Sequence, residues 1–144
     1  MKKIFYLIII FFLVSSANGC KKKACPEKTP TLRDYLTQTD WMYIRQETYE
    51  NEQFVQQVTY SDWHRIFTPS GDYYLTHGTS TGDYGTYVFD DESDPMTIST
   101  RSYSGQEHHY IVEQLDENTL VFYETIRSGN SVFKYVHVHE KASN

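Results

Sequence analysis

The sequence predicts an all-β fold: an antiparallel up-and-down meander of eight or nine strands, closed into a small barrel and preceded by a short helical turn. From residue 38 onward, short stretches rich in Tyr, Phe, Val, Ile and Thr are separated by glycine, asparagine, aspartate or proline, as is typical of strands joined by turns. Only the segment Thr31–Leu36 has a helical pattern of apolar residues. A flat meander would leave exposed edges, so closure into a barrel is favoured.

The strand candidates follow one another along the chain. They are Trp41–Tyr49, Gln53–Tyr60, Trp63–Thr68, Asp72–Gly78, Tyr84–Asp90, Met96–Tyr103, Glu107–Leu115, Thr119–Arg127 and Ser131–Glu140. Residues 69–71, 116–118 and 128–130 have turn chemistry, which predicts sequential hairpins. In the seventh candidate, alternation predicts that Tyr110, Val112 and Gln114 share one face and that Leu115 lies on the other.

The N-terminus has the three parts of a signal peptide. Met1–Lys3 is positively charged, Ile4–Val14 is an apolar run of 11 residues, and residues 15–19 are small or polar. The apolar run is well below the roughly 20 residues that span a bilayer. We therefore expect residues 1–19 to be removed as a signal peptide.

The segment Ala17–Cys20 resembles the lipobox of bacterial lipoproteins, although Ala17 stands where that family usually has Leu. The resemblance implies cleavage before Cys20 and attachment of lipid, such as palmitate, to its thiol. An ordinary secretory cleavage near Ala17 or Gly19, with Cys20 and Cys25 joined in a disulfide, is the alternative. If Cys20 is acylated, Cys25 has no second cysteine in the chain.

Residues 20–37 are expected to form a lipid-anchored tether and the short helical turn, and residues 38–144 the barrel domain. Residues 21–30 hold four lysines and two prolines, which suits a solvated segment beside lipid head groups. Removing Lys2, Lys3, and the four lysines and one glutamate of residues 21–28 from the net charge of -6 leaves about -11. Such an acidic domain is a poor partner for nucleic acid.

Several stretches resemble the lipocalin-like domains of small secreted bacterial lipoproteins. They are Trp41 at the start of the first strand, residues 66–73 (Ile-Phe-Thr-Pro-Ser-Gly-Asp-Tyr), residues 85–87 (Gly-Thr-Tyr) and the late hairpin of residues 110–122. The likeness covers roughly residues 38 to 140 and implies a closed barrel that holds a small hydrophobic ligand. The Gly-x-Trp motif of classical lipocalins is absent, because Thr39 and Asp40 precede Trp41. Lys21 after Cys20, in place of an aspartate, favours the outer membrane as the site of anchoring.

The sequence contains no Gly-x-Ser-x-Gly elbow, Gly-rich phosphate loop or His-Glu-x-x-His pair, so it nominates no catalytic residue, cofactor or enzymatic activity. His137 and His139 share a strand face and, with His108 and His109, raise the question of a metal site. No cysteine remains in the domain, and His-x-His pairs are common on solvated sheet faces, so no metal is predicted. The acidic residues 90–94 are interpreted as a solvated turn.

The chain has 13 tyrosines, 8 phenylalanines and 2 tryptophans, whose first expected role is to fill the barrel. Trp63, Tyr73, Tyr84 and Tyr87 are the candidates for lining its mouth and stacking on a ligand. Two hypotheses follow. The first is a non-enzymatic, membrane-tethered binding module for a small hydrophobic molecule, and the second is a filled barrel whose acidic loops bind a basic partner enzyme.

Overall fold

The computed structural model describes residues 29–143, which form one helix and nine strands. The elements are α1 (Leu32–Gln38), β1 (Asp40–Glu50), β2 (Gln53–Thr59), β3 (Trp63–Phe67), β4 (Asp72–His77), β5 (Ser80–Asp90), β6 (Thr97–Ser102), β7 (Glu107–Leu115), β8 (Thr119–Ser128) and β9 (Ser131–Lys141). The predicted signal peptide, Cys20 and Cys25 lie outside the described residues.

All neighbouring strands are antiparallel and follow the order β2-β1-β3-β4-β5-β6-β7-β8-β9, and β1 also pairs with β9. This last pairing closes eight strands into a barrel and leaves β2 as an extra strand on β1. Residues 40–42 of β1 pair with β3, whereas residues 45–50 pair with β2. The predicted fold class, a closed antiparallel meander with a short N-terminal helix, is confirmed.

Helix α1 begins at a capping box. The Asp34 amide donates to the Thr31 hydroxyl at 3.2 Å, and the Thr31 amide donates to the Asp34 carboxylate at 2.8 Å. The helix ends at Gln38, and its only buried side chain is that of Leu36. The Leu36 carbonyl accepts a 3.1 Å hydrogen bond from the Trp41 indole, so the helix is fixed against the first strand. We call this end of the barrel the closed end.

The apolar core lies mainly toward the closed end. It comprises the buried side chains of Leu36, Trp41, Phe67, Tyr73, Tyr87, Phe89, Ile98, Tyr110, Val112, Leu115, Leu120 and Phe122. Burial of each large apolar side chain stabilises the fold by about 1.5–3 kcal/mol. The barrel is therefore sealed and stabilised mainly from this side.

Two details of strand geometry differ from the sequence prediction. A register shift between Val112 and Gln114 in β7 turns Leu115 onto the face of Tyr110 and Val112, so the predicted strict alternation of this strand is wrong. Strand β5 begins at Ser80, four residues earlier than expected. The strand contains Gly82. A side chain at this position would place its Cβ within 2.9 Å of the Trp63 ring, so glycine fits there.

The opposite end, which we call the open end, carries the loops 51–52, 60–62, 78–79, 103–106 and 129–130. Inward-facing side chains are partly exposed there, as in His108 and Glu124, whose side chains are 28% and 15% exposed. All seven residues of β2 are exposed at this end. Within residues 29–143, no helix is long and apolar enough to cross a membrane.

Candidate functional site

Arg65 occupies the centre of the barrel interior. It lies on β3 between Trp63 and Phe67, and since alternate residues of a strand share a face, all three point inward. Arg65 is only 7% exposed. Its guanidinium carbon lies over the rings of Tyr43, Tyr110 and Phe122, at 5.9, 5.9 and 5.1 Å from their centroids. The cation is thus held by π faces contributed by three other strands.

Arg65 has no carboxylate partner in the part of the chain that the structure describes. The salt bridges within residues 29–143 involve other cations, and Nε of Arg65 is buried without a hydrogen-bond partner. Removing an ion from water costs several kcal/mol unless an opposite charge and hydrogen bonds compensate. The three rings offset part of this cost, but they leave the positive charge without neutralisation.

Two buried histidines of β9 face the same region. His137 is 7% exposed and His139 is fully buried, so the expectation that this His-x-His pair lies on a solvated face is wrong. Burial, aided by the charge of Arg65, lowers the pKa of His137 to about 3 and that of His139 well below its usual value. Both imidazoles are therefore neutral at physiological pH.

The histidine nitrogens are incompletely paired. Nδ1 of His137 shares a 2.6 Å hydrogen bond with the Tyr43 hydroxyl, but its Nε2 has no partner within residues 29–143. Neither ring nitrogen of His139 has one in those residues. A neutral imidazole always carries one N–H, so His139 leaves a buried donor unsatisfied.

The histidines do not assemble into a metal centre. His109 points away from the interior and bonds Ser99 at 2.8 Å, whereas His108 faces inward and lies 2.9 Å from the Glu124 carboxylate. No group of three or more metal-ligating side chains converges within residues 29–143. The Arg65 charge beside His137 would in addition repel a metal cation.

The tyrosine hydroxyls of the interior stay protonated. Burial is the main cause that raises the pKa of Tyr43, Tyr73 and Tyr110 above the usual value, and the carboxylate of Asp83 adds to the rise for Tyr73. The Tyr73 hydroxyl donates to Asp83 at 2.6 Å. These phenols act as polar, uncharged donors at neutral pH.

Aromatic side chains continue from Arg65 toward the open end. Tyr60 stacks on Tyr43 with ring centroids 4.2 Å apart, and Trp63 stacks on His77 at 5.0 Å. Tyr60, Trp63 and His77 are all partly or fully accessible. We call the interior of this half of the barrel the chamber. Its inward-facing side chains are those of Tyr43, Tyr60, Trp63, Arg65, Tyr73, His77, Asp83, His108, Tyr110, Glu124 and His137.

The structure separates the four aromatic residues proposed from the sequence. Trp63 and Tyr73 belong to the chamber. Tyr87 is buried nearer the closed end, where its hydroxyl donates to the Thr68 carbonyl at 2.8 Å. Tyr84 alternates with the inward Asp83, is 44% exposed, and stacks on Tyr103 outside the barrel.

The sequence reasoning did not identify Arg65, Tyr43 or Tyr110. The sequence contained one indication for Arg65: its position between two aromatic residues, Trp63 and Phe67, that share a face of the same strand. A charged residue at an apolar, inward position is the pattern that marks a functional candidate.

A second concave feature lies on the outer surface. A groove of about 900 Å³ runs across the outer face of β1, β7, β8 and β9 and is lined by Glu47, Tyr49, Asn51, Glu52, Glu113, Tyr123, Thr125, Val132, Lys134 and Val136. Lys134 lies 3.9 Å from the centroid of the Tyr123 ring and 2.7 Å from the Glu113 carboxylate. With three glutamates and one lysine, the lining is acidic.

Comparison with known proteins gives no family for the chain: no model of a protein family matches it, and a search of curated proteins finds no match.

Proposed function

We propose that this chain is a non-enzymatic, membrane-tethered lipoprotein of the lipocalin-like kind, whose chamber binds a small, largely hydrophobic molecule. The observation that carries the proposal is the composition of the chamber: accessible aromatic rings at the open end lead to buried polar atoms that have no hydrogen-bond partner in the described part of the chain. Small-molecule sites combine apolar and aromatic walls with a few convergent polar groups in this way.

Retention of small molecules by the purified protein tests this function. After incubation with a mixture of lipids and aromatic metabolites, native mass spectrometry should detect protein with one bound molecule. Replacing Trp63 by Ala should weaken retention, because the indole forms part of the chamber wall. Tyr84→Ala is the matched control, since that ring lies on the outer face. Failure of the wild-type protein to retain any component would count against the proposal.

The tether is the second part of the proposal and depends on the sequence alone. Lipidation at Cys20 would anchor the protein stably to a membrane, because more than one acyl chain would be attached. The outer membrane is the proposed site, because Lys21 follows Cys20 in place of an aspartate. Cys20→Ser should move the protein from the membrane fraction to the soluble fraction. Mass spectrometry of the mature N-terminus would identify the acyl groups, and an unmodified Cys20 would contradict the proposal.

A basic protein is the alternative partner, and the acidic outer groove favours it. Glu47, Glu52 and Glu113 would attract a basic enzyme through charge complementarity. Capture of lysozyme by the immobilised protein, weakened by salt and by Glu52→Lys, would support this alternative. Capture that persists in high salt would not.

A further inference from the structure

We infer that the ligand of the chamber is an amphipathic anion: a small molecule with an aromatic or apolar body and a carboxylate that Arg65 neutralises. This inference rests on the proposed function and specifies the chemistry of its ligand. The observations behind it are a buried guanidinium that lies over three aromatic rings and has no carboxylate partner within residues 29–143, and nearby imidazoles whose nitrogens lack partners in the same residues.

The lack of a carboxylate partner for Arg65 is the first argument. The chamber also holds the carboxylates of Asp83 and Glu124. Asp83 accepts a hydrogen bond from Tyr73, and Glu124 is bonded to His108. Neither carboxylate forms a salt bridge with Arg65. An incoming anion would therefore pair with Arg65 in the place that no carboxylate of residues 29–143 takes.

The unused donors of Arg65 are the second argument. Its guanidinium carbon lies 5.1–5.9 Å from the ring centroids of Tyr43, Tyr110 and Phe122, and its Nε has no hydrogen-bond partner within residues 29–143. A planar guanidinium matches a carboxylate through two parallel hydrogen bonds.

The distribution of polarity along the chamber is the third argument. Charge and unpaired nitrogens lie deep, whereas Tyr60, Trp63 and His77 present rings toward the open end. A molecule that enters from the open end with its anionic group first would place its body against these rings. Free inorganic anions would satisfy Arg65 but would gain nothing from the aromatic wall.

A series of probes that differ only in the head group tests the inference on the wild-type protein. Phenylpropionate, phenylpropanol and phenylpropylammonium share one aromatic body and carry a negative, a neutral and a positive head group. Isothermal titration calorimetry should give a dissociation constant for phenylpropionate at least about tenfold below that for phenylpropanol, because the ionised head group forms charge-assisted hydrogen bonds. Phenylpropylammonium should bind more weakly than both.

Replacement of Arg65 locates the effect. Arg65→Met replaces the guanidinium by an apolar side chain of similar length. This variant should lose the preference for phenylpropionate but should still bind phenylpropanol. Arg101→Met is the matched control, because that side chain is 69% exposed, and it should keep the preference. Lys134→Met removes the lysine of the outer groove and should also leave the preference unchanged.

The outcomes separate the two proposals. Equal binding of phenylpropionate and phenylpropanol to the wild-type protein would overturn the anion inference and would leave small-molecule binding intact. A preference that survives in Arg65→Met or disappears in Lys134→Met would also overturn it. Absence of binding by all three probes would contradict the inference as well, whereas the proposed function itself fails only if the broad ligand mixture yields no complex.

Discussion

At the scale of single residues, the chamber is defined by polar or charged side chains that are buried, such as those of Arg65 and His137. His137 and His139 were recognisable in the sequence as a pair on one strand face, but the sequence does not show which face that is. Arg65 was missed because a charged residue is exposed in most proteins, and only the closure of the barrel encloses it. Alternation also decides where the aromatic candidates lie: it brings Trp63 and Tyr73 inward and turns Tyr84 outward.

The buried histidines predict an acid-sensitive fold. Their pKa values in the folded state lie far below the usual value of 6.5, so the unfolded chain binds more protons as the pH falls below 6.5. The contribution of both histidines to stability is complete above pH 6.5 and is lost as the pH falls, in the case of His137 toward about 3. Each histidine should lower the free energy of unfolding by up to about 1.4 kcal/mol per pH unit in this range.

Urea denaturation at several pH values between 6.5 and 4.5 would measure this dependence. The carboxylates whose pKa values the fold lowers, those of Glu47 and Asp116, contribute mainly below that range. His139→Phe should reduce the slope of stability against pH by roughly half, because one of two titrating groups is removed. His109→Gln, at an exposed position, should not change it. Stability that is constant between pH 6.5 and 5 would contradict the assigned neutral state.

At the scale of secondary structure, the sequence predicted the nine strands to within a few residues, because aromatic and β-branched stretches were separated by specific turn residues. Gly71 and Gly129 adopt φ values of 93° and 61° in two of the three predicted turns. The bulge in β7 could not be predicted, since it arises from pairing with β8. Strand β5 begins before its predicted start at Tyr84 and includes Gly82, whose lack of a side chain admits the Trp63 ring.

A close approach between β5 and β6 gives a prediction for Gly85. A Cβ at this position would lie 2.0 Å from the Arg101 carbonyl oxygen and 2.8 Å from the Ser102 Cα, both of which are backbone atoms. Gly85→Ala should therefore cost about 3 kcal/mol or more of unfolding free energy, because the strands must separate. Gly78→Ala is the control: nothing lies near its Cβ, and its positive φ should cost only about 1 kcal/mol. Equal losses in urea denaturation would show that the strands can adjust.

At the scale of the whole molecule, apolar side chains and polar groups without a partner in residues 29–143 share one interior, since Arg65 pairs with Trp41 and His139 with Leu120 across neighbouring strands. Periodicity and turn chemistry were sufficient to predict the closed meander. They were not sufficient to predict the chamber, because its members come from strands far apart in the chain, from Tyr43 to His137. Their convergence depends on the pairing of β1 with β9.

These two kinds of buried residue, apolar and unpaired polar, predict opposite responses to substitution. Leu36→Ala at the closed end should lower the free energy of unfolding by about 2–5 kcal/mol, because it leaves a cavity in a fully buried apolar cluster. Arg65→Met should be neutral or stabilising, since it replaces an enclosed cation that has no carboxylate partner within residues 29–143 by an apolar side chain of similar length. Urea denaturation of both variants and the wild-type protein would compare them directly. If Arg65→Met is as destabilising as Leu36→Ala, the contacts of Arg65 with the three rings serve the fold. If Arg65→Met is neutral or stabilising, the fold does not need this buried charge. Binding of an anion in the chamber then explains why the protein keeps it.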